Sequence, residues 1–492
     1  MSIVYHLPIL ITVAPLAVAV LLSILLNLNR RVVYPLSLLT MFFCFVSAIF
    51  VALGVLKGGA FVYYMSNWPP PWGIELLIDN ITAFILLLIT FVGFFVFIFS
   101  KPYVKKELEK EKAPFYYILT LLLLGSMTGF VISGDIFNMF IFFEILSLSS
   151  YSLVAIAGDK EALRAGFKYL VMGVISSLFV LLGLGFIYSV TGTLNVSQIA
   201  SWVRSSSDLT VVYTGALFLI VAFVIEAALF PMHIWLPQAH GKAPAPVSAV
   251  LSGLVIGVGV VGIIKVIYYI LPIVYSAEFI ILFRVLATIG IVFGAIFALF
   301  ESDLKVLLAQ SSISQIGFAA IGVFLFSYLG LAGSMLQILN HALAKSALFF
   351  GAGAIIYRTG FRKLDEMRGI GKKMPITMGF FAISLASIAG IPMTCGFASK
   401  YYLCFAAIRQ GLWGMVGAIL LGSFLSILYC IRIINCIFFE EPESEAEVLE
   451  APLEMLIPLG VLSLFSLLFG LFPKMAFVLI EPGVKELLVL LR

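Results

Sequence analysis

What most limits how this chain can fold is a series of long apolar tracts without a single charge, among them 7–26, 285–300 and 376–391. About 20 such residues cross the hydrocarbon core of a bilayer. No water is available there to satisfy a free backbone, so a crossing segment must be a helix or part of a closed barrel. Barrel strands alternate apolar and polar residues over about 10 positions, whereas these tracts are apolar throughout. With 62% hydrophobic and 11% charged residues, against roughly 25% charged in a soluble chain, a soluble fold is excluded. The fold class read from the sequence is an all-α polytopic membrane protein.

Spans are expected near 7–26, 32–55, 78–100, 114–132, 136–157, 166–190, 211–236, 245–271, 279–300, 305–326, 330–357, 376–405, 412–437 and 453–473, about fourteen in all. The first is too long for a signal-peptide core and has no basic segment before it, so it reads as a span rather than a removable leader. Alternating the loops between two sides gathers Arg30 and Arg31, the 101–112 run, Lys160, Arg164, Lys242, Lys305 and the 358–373 loop on one face. Basic loops stay in the cytoplasm, which predicts both termini outside. The acidic stretch 440–450 falls on the same face, and acidic residues contribute little to orientation.

Two spans are interrupted by proline in a similar way, at Pro231 and at Pro392, five spans apart. An odd separation turns the second copy upside down, which predicts two inverted five-helix repeats, each with a proline-broken helix. The expected organisation is an N-terminal three-span segment (1–113), repeats at 114–271 and 279–437, and an acidic loop, last span and tail at 438–492. Broken helices at membrane depth persist where protein or water satisfies the freed backbone, and paired ones point to an ion or substrate path.

A charge at mid-bilayer costs roughly 2.5–3.5 kcal/mol on insertion scales, so such residues usually face a polar interior and act there. Glu144 lies mid-span with Ser147 and Tyr151 on its own helical face, and Glu226 just precedes the Pro231 break. Lys265 lies toward the end of the eighth span. Ser334, Gln337, His341 and Lys345 recur at helical spacing as one polar stripe, and Lys400 follows the Pro392 break. Carboxylates, an imidazole and amines on successive spans are the parts of a proton relay. Asp79, Asp135, Lys168, Glu301, Asp303 and Lys305 sit nearer span ends and read as caps and anchors.

The sequence has no phosphate loop, dinucleotide fingerprint, nucleophile elbow or metal-spaced Cys/His cluster. Its five cysteines lie in apolar tracts without a Cys-x-x-Cys pair and read as packing residues. Neither a cofactor nor a metal is expected in this chain. A net charge of +4 does not suggest nucleic acid as a partner.

The stretches Phe230-Pro-Met-His-Ile-Trp-Leu-Pro-Gln-Ala-His240, Ala243-Pro-Ala-Pro-Val-Ser-Ala249, Asp303-Leu-Lys-Val-Leu-Leu-Ala-Gln-Ser-Ser-Ile-Ser-Gln-Ile-Gly317, Asn340-His-Ala-Leu-Ala-Lys-Ser-Ala-Leu-Phe349 and Gly390-Ile-Pro-Met-Thr-Cys-Gly-Phe-Ala-Ser-Lys400 carry a resemblance. They resemble the antiporter-like subunits shared by respiratory complex I, Mrp-type sodium/proton antiporters (their D-type component above all) and membrane-bound hydrogenases. The resemblance implies a fourteen-span inverted-repeat fold in the cell membrane of a prokaryote. It also implies a mid-membrane row of charged groups that moves protons, or exchanges them for sodium, together with partner membrane subunits. Any hydrogenase-like or other iron–sulfur centres would lie in those partners. By position, Glu144 matches the family's fifth-span carboxylate, His341 and Lys345 its central relay, and Lys400 its twelfth-span group.

Two positions depart from the family pattern. The lysine that usually precedes the first break is replaced by Glu226, and the one early in the eighth span by Gly257, leaving Lys265 two turns further on. Two facing carboxylates raise each other's pKa and cannot act as a carboxylate–lysine pair. Two rival readings are a structural scaffold subunit with a partly lost relay and a stand-alone cation/proton antiporter.

Overall fold

The computed structural model describes residues 3–26, 30–270, 276–441 and 448–490, so 271 at the end of the expected eighth span and most of the acidic loop lie outside the described residues. The chain begins with α1 (Ile3–Leu25), α2 (Val33–Gly58), α3 (Asn80–Glu107) and α4 (Ala113–Ile132). Between α2 and α3 an antiparallel hairpin pairs β1 (Phe61–Tyr64) with β2 (Glu75–Ile78), in register from Phe61 opposite Ile78 to Tyr64 opposite Glu75. Next come α5 (Ile136–Ala155), α6 (Lys160–Thr191), the short α7 (Val196–Ser205), α8 (Thr210–Glu226), α9 (Leu236–Lys242), α10 (Ala245–Val250) and α11 (Ile256–Ile264). The second part runs through α12 (Ala277–Phe300), α13 (Leu304–Phe324), α14 (Tyr328–Thr359), α15 (Ile370–Lys373), α16 (Pro375–Ala389), α17 (Cys395–Arg409) and α18 (Trp413–Ile434), and ends in α19 (Leu453–Leu471) and α20 (Lys474–Leu490).

Among the described residues, 12 helices are long and apolar enough to cross a membrane. The two remaining expected spans, 211–236 and 376–405, are each interrupted. The helix α8 stops at Glu226, because Pro231 brings no N–H to the ladder and its ring crowds the carbonyl four residues earlier. The helix α16 stops at Ala389, where Gly390 takes φ +83°, a left-handed conformation that glycine adopts without strain. Thr394 then restarts the chain by accepting from the Phe397 N–H at the head of α17.

The interior lies around α14 and the α10–α11 segment. All of the apolar window of Tyr328–Thr359 and of Ala245–Ile270 is buried within the molecule, against 33% of that of α6 and of α12. The peripheral helices therefore turn most of their apolar surface outward, and the central ones carry polar residues where lipid cannot reach them.

The two ends of the bundle differ. At one end the basic segments meet: Lys106 bonds the Tyr357 carbonyl, Lys112 that of Ala157 at 2.8 Å, Lys242 the Glu161 carboxylate and Arg362 the Gly241 carbonyl. The acidic loop returns to this same end, where Glu440 pairs with Arg368 at 3.2 Å and Arg358 bonds the Glu450 carbonyl at 2.8 Å. At the other end the hairpin is joined by α1, through Tyr5 donating to the Val62 carbonyl at 3.3 Å. Its Glu75 accepts from Asn195 and Ser197, each at 2.9 Å, and nearby Asn80 donates to Glu486 of α20 at 3.0 Å.

Elements recur along the chain. The helices α6 and α14 are both 32 residues long and both close on a left-handed glycine, Gly192 and Gly360. Asp135 caps α5 and bridges to Asn195, while Asp303 caps α13 and bridges to Lys363. These two aspartates and Asp79, which caps α3, are the caps that their span-end positions lead one to expect. Each capping carboxylate satisfies an N–H that the helix leaves without a partner.

Candidate functional site

At the first break the freed backbone is taken up locally. The Ile225 carbonyl accepts from the Ala228 N–H at 3.1 Å and from the Trp235 indole Nε1 at 2.9 Å. The Trp235 ring stacks flat on Tyr169 of α6, centroids 4.0 Å apart, and the Tyr169 hydroxyl donates to Oε1 of Glu226 at 3.4 Å. Glu226 is 1% exposed, and its other oxygen, Oε2, is buried with no hydrogen-bond partner. Glu144 of α5 faces it within electrostatic range. Buried oxygens without a partner also include Glu144 Oε1, Ser147 Oγ, Ser150 Oγ and the Tyr151 hydroxyl. Tyr151 meets the Tyr169 ring edge-on at 4.7 Å. A Cβ at Gly173 of α6 would fall 1.3 Å from the Tyr151 oxygen, so only glycine leaves room for that hydroxyl.

Lys265 stands apart from this pair. It opens a π-helical turn, Lys265–Ile270, beyond α11, and its ammonium donates to the Ser133 carbonyl at 2.8 Å. Its nearest opposite charge is Asp79, which also accepts from the Tyr269 hydroxyl. The displaced lysine is thus tied toward the hairpin end instead of to Glu226. At Gly257 a Cβ would meet nothing closer than Ile338 Cγ2 at 3.8 Å.

The second half holds several buried polar groups around α14. Ser334, Gln337, His341 and Lys345 share one face of α14 and none is more than 1% exposed. A second π-helical turn, Leu251–Val255, precedes α11; such turns are frequent at functional sites. Within it the Ser252 carbonyl lies 2.9 Å from His341 Nε2. A carbonyl only accepts, so Nε2 carries the proton, and Nδ1 is left buried without a partner. Lys345 donates to the Leu308 carbonyl at 2.8 Å and to the Ser311 hydroxyl. No salt bridge to it is found among the described residues.

Lys400 satisfies the second break. Its ammonium donates to the Ile388 carbonyl at 2.8 Å and the Ala389 carbonyl at 3.1 Å, and it lies 4.9 Å over the Phe318 ring. Between the two lysines, Gln337 donates to Gln315 Oε1 at 2.9 Å and accepts from Ser399, the neighbour of Lys400, at 2.6 Å. The Tyr429 hydroxyl faces Ser311 and Gln315. That hydroxyl, Gln315 Nε2, Ser314 Oγ and Asn340 Nδ2 are buried without partners. Each unpaired group of this kind is costly in an apolar medium and is a natural seat for a bridging water.

Of the six ionisable candidates, the structure sets Glu144 and Glu226 within electrostatic range of each other, buries His341, Lys345 and Lys400 around α14 and α17, and leaves Lys265 separate. Sequence reasoning passed over His240. It is fully buried with neither ring nitrogen bonded, stacks on Phe349 at 5.2 Å, and lies within electrostatic range of Lys305, Lys345 and His341. Lys305 was read as an anchor. Its ammonium is buried and donates to the Ala243 carbonyl, so it fastens the segment that carries His240. The available signal was the position of His240 within the stretch that bears the family resemblance.

Comparison with known proteins gives the family of the chain. Residues 133–426 match the NADH:quinone oxidoreductase/Mrp antiporter transmembrane family, and residues 71–116 match the N-terminal part of complex I chain 5. The chain belongs to this family. The N subunit of NADH-quinone oxidoreductase from Desulforudis audaxviator is 35% identical over 95% of this chain and 96% of its own length. The D component of the Na(+)/H(+) antiporter from Alkalihalophilus pseudofirmus is 32% identical over 86% and 85%. Among solved structures, a chain of the Mrp complex from Dietzia sp. DQ12-45-1b superposes with a TM-score of 0.90 at 26% identity, covering 99% of this chain and 98% of that one. A chain of the membrane-bound sulfane sulfur reductase, an archaeal respiratory membrane complex, gives 0.90 at 29% identity, with coverage of 99% and 100%. The family's antiporter-like membrane subunits are thus the setting in which the buried charges are to be understood.

Proposed function

We propose that this chain is the ion-translocating, antiporter-like subunit of a multisubunit Mrp-type or redox-driven complex, with fourteen crossings and two inverted repeats. The 12 long helices plus two broken crossings, built on α8 and on α16–α17, make up that count. The matched lengths of α6 and α14 and the paired bridges at Asp135 and Asp303 support the repeats at 114–271 and 279–437. With the basic end in the cytoplasm, both termini face outside. Partner membrane subunits supply the driving charge change and any iron–sulfur chemistry.

Ions move along Glu144, Glu226, Lys265, His341, Lys345 and Lys400, with protons passing between the amines and the imidazole through water-bridged hops. The observation that carries this reading is the pair of buried lysines, Lys345 held by the Leu308 carbonyl and the Ser311 hydroxyl and Lys400 by the Ile388 and Ala389 carbonyls, with the buried polar chain Gln315–Gln337–Ser399 between them. A buried amine without a fixed counter-charge sits close in energy to its neutral form. A neighbouring charge in low dielectric then suffices to load or unload it.

The test is Lys345→Ala in the intact complex reconstituted into vesicles. Proton pumping is expected to be lost while the complex still assembles; unchanged pumping overturns the relay. A scaffold role is favoured by one observation, the tie of Lys265 to Ser133. It predicts that neutralising all six charges leaves pumping intact.

A further inference from the structure

The oxygens around the first break have a feature that a proton relay does not use. Glu144 and Glu226 lie within electrostatic range of each other inside the membrane region, and no lysine or arginine acts on Glu226 among the described residues. Glu226 is 1% exposed, and an ionised carboxylate buried there needs a compensating cation or donor.

The surrounding donors favour a cation. Five buried oxygens lack partners: Glu144 Oε1, Glu226 Oε2, Ser147 Oγ, Ser150 Oγ and the Tyr151 hydroxyl. They come from two packed regions. Glu144, Ser147, Ser150 and Tyr151 lie along α5, and Tyr151 faces Ser147 and lies within range of both carboxylates. Glu226 comes from the end of α8, while Tyr169 of α6 joins the two groups through its contact with Glu226, its closeness to Ser150 and the edge-on packing of Tyr151. A set of buried oxygens without nitrogen is the ligand type of a hard cation. No group of three or more His, Cys, Asp and Glu side chains placed to hold a metal is found among the described residues. One monovalent ion together with one proton balances the two carboxylates, and the hydroxyls add no charge. Glu144 is only half-buried, and Ile141 and Leu148 on either side of it along α5 are 41% and 57% exposed, so the cluster opens sideways across α5.

The geometry points to a sodium site formed by Glu144, Glu226, Ser147, Ser150 and Tyr151, with the ion lying where the family's lysine would place its ammonium. This rests on the reading of the chain as an ion-translocating subunit and names the ion for its first half. Sodium and protons then compete for the same two carboxylates, alongside Tyr151 and Tyr169 as the other titratable groups facing the cluster.

The purified intact complex in nanodiscs tests the site by infrared difference spectroscopy of the carboxylate bands, with sodium chloride against choline chloride at equal ionic strength. The wild type is expected to show a saturable sodium-induced shift. Glu226→Lys, which puts an ammonium in the same place, is expected to abolish it. Tyr151→Phe and Ser150→Ala, each removing one neutral oxygen, are expected to raise the half-saturating sodium concentration about tenfold. A wild type whose carboxylates respond to pH but not to sodium overturns the proposal, as does an unchanged sodium response in Glu226→Lys. Lys345→Ala measured in the same preparation separates the two readings. No sodium response with pumping still dependent on Lys345 rejects only the sodium site, and a sodium response with pumping independent of Lys345 rejects only the relay.

Discussion

The two broken helices solve the same backbone problem with opposite charges. At the second break Lys400 donates to the carbonyls of Ile388 and Ala389, so the ionisable group is itself the partner of the freed backbone. At the first break Trp235 takes the Ile225 carbonyl, and Glu226, which in its ionised form only accepts, turns to Tyr169 and leaves one oxygen unpaired. A break therefore does not dictate the charge beside it. It requires a donor, and once another side chain supplies that donor the ionisable position is free to change sign. At the first break Trp235 and the Ala228 N–H satisfy the Ile225 carbonyl, so Glu226 is not needed there as a donor.

Exchanging the charges breaks this comparison most severely on one side. Lys400→Glu sets a carboxylate against two carbonyl oxygens, and its expected cost is about 3–5 kcal/mol, that of an uncompensated buried charge. The readout is a large drop in assembled complex and in its melting temperature. Gly390→Val should come next, because it forces a β-branched residue to a φ of +83° beside Lys400. Strain of about 1–3 kcal/mol is expected, with a lower melting temperature. Trp235→Phe keeps the stack on Tyr169 and removes one of the two donors to the Ile225 carbonyl, at about 0.5–1.5 kcal/mol for a single lost hydrogen bond. Glu226→Lys should change the melting temperature least, since the incoming ammonium finds Glu144 and the unpaired hydroxyls as partners. If Glu226→Lys destabilised the complex as much as Lys400→Glu, the two breaks would not differ in the way described.

Much of this was legible from the sequence because membranes leave few options. Long apolar tracts fix helices, proline marks the breaks, and helical spacing placed His341 and Lys345 on one face of α14. The caps at Asp79, Asp135 and Asp303 followed from their positions at span ends. Other features needed three dimensions. Hydropathy cannot tell that Lys265 reaches Ser133 across 132 positions of sequence, nor that Lys305 turns inward to hold Ala243. His240 was hidden for a related reason: α9 packs against α13 and brings His240 onto Phe349 of α14, and no periodicity links them. The hydroxyls around Glu144 and Glu226 were partly visible as Ser147 and Tyr151. Tyr169 and Gly173 come from α6, which reads as an ordinary apolar span.

The buried amines of the second half are the proposed proton carriers, and their role is tested most directly by proton flux into vesicles containing the intact complex with Lys400→Ala, assembly being checked in the same sample. A relay through Lys400 predicts that the complex which still assembles pumps at least about tenfold more slowly per assembled molecule. Pumping at the wild-type rate in that assembled variant would contradict it.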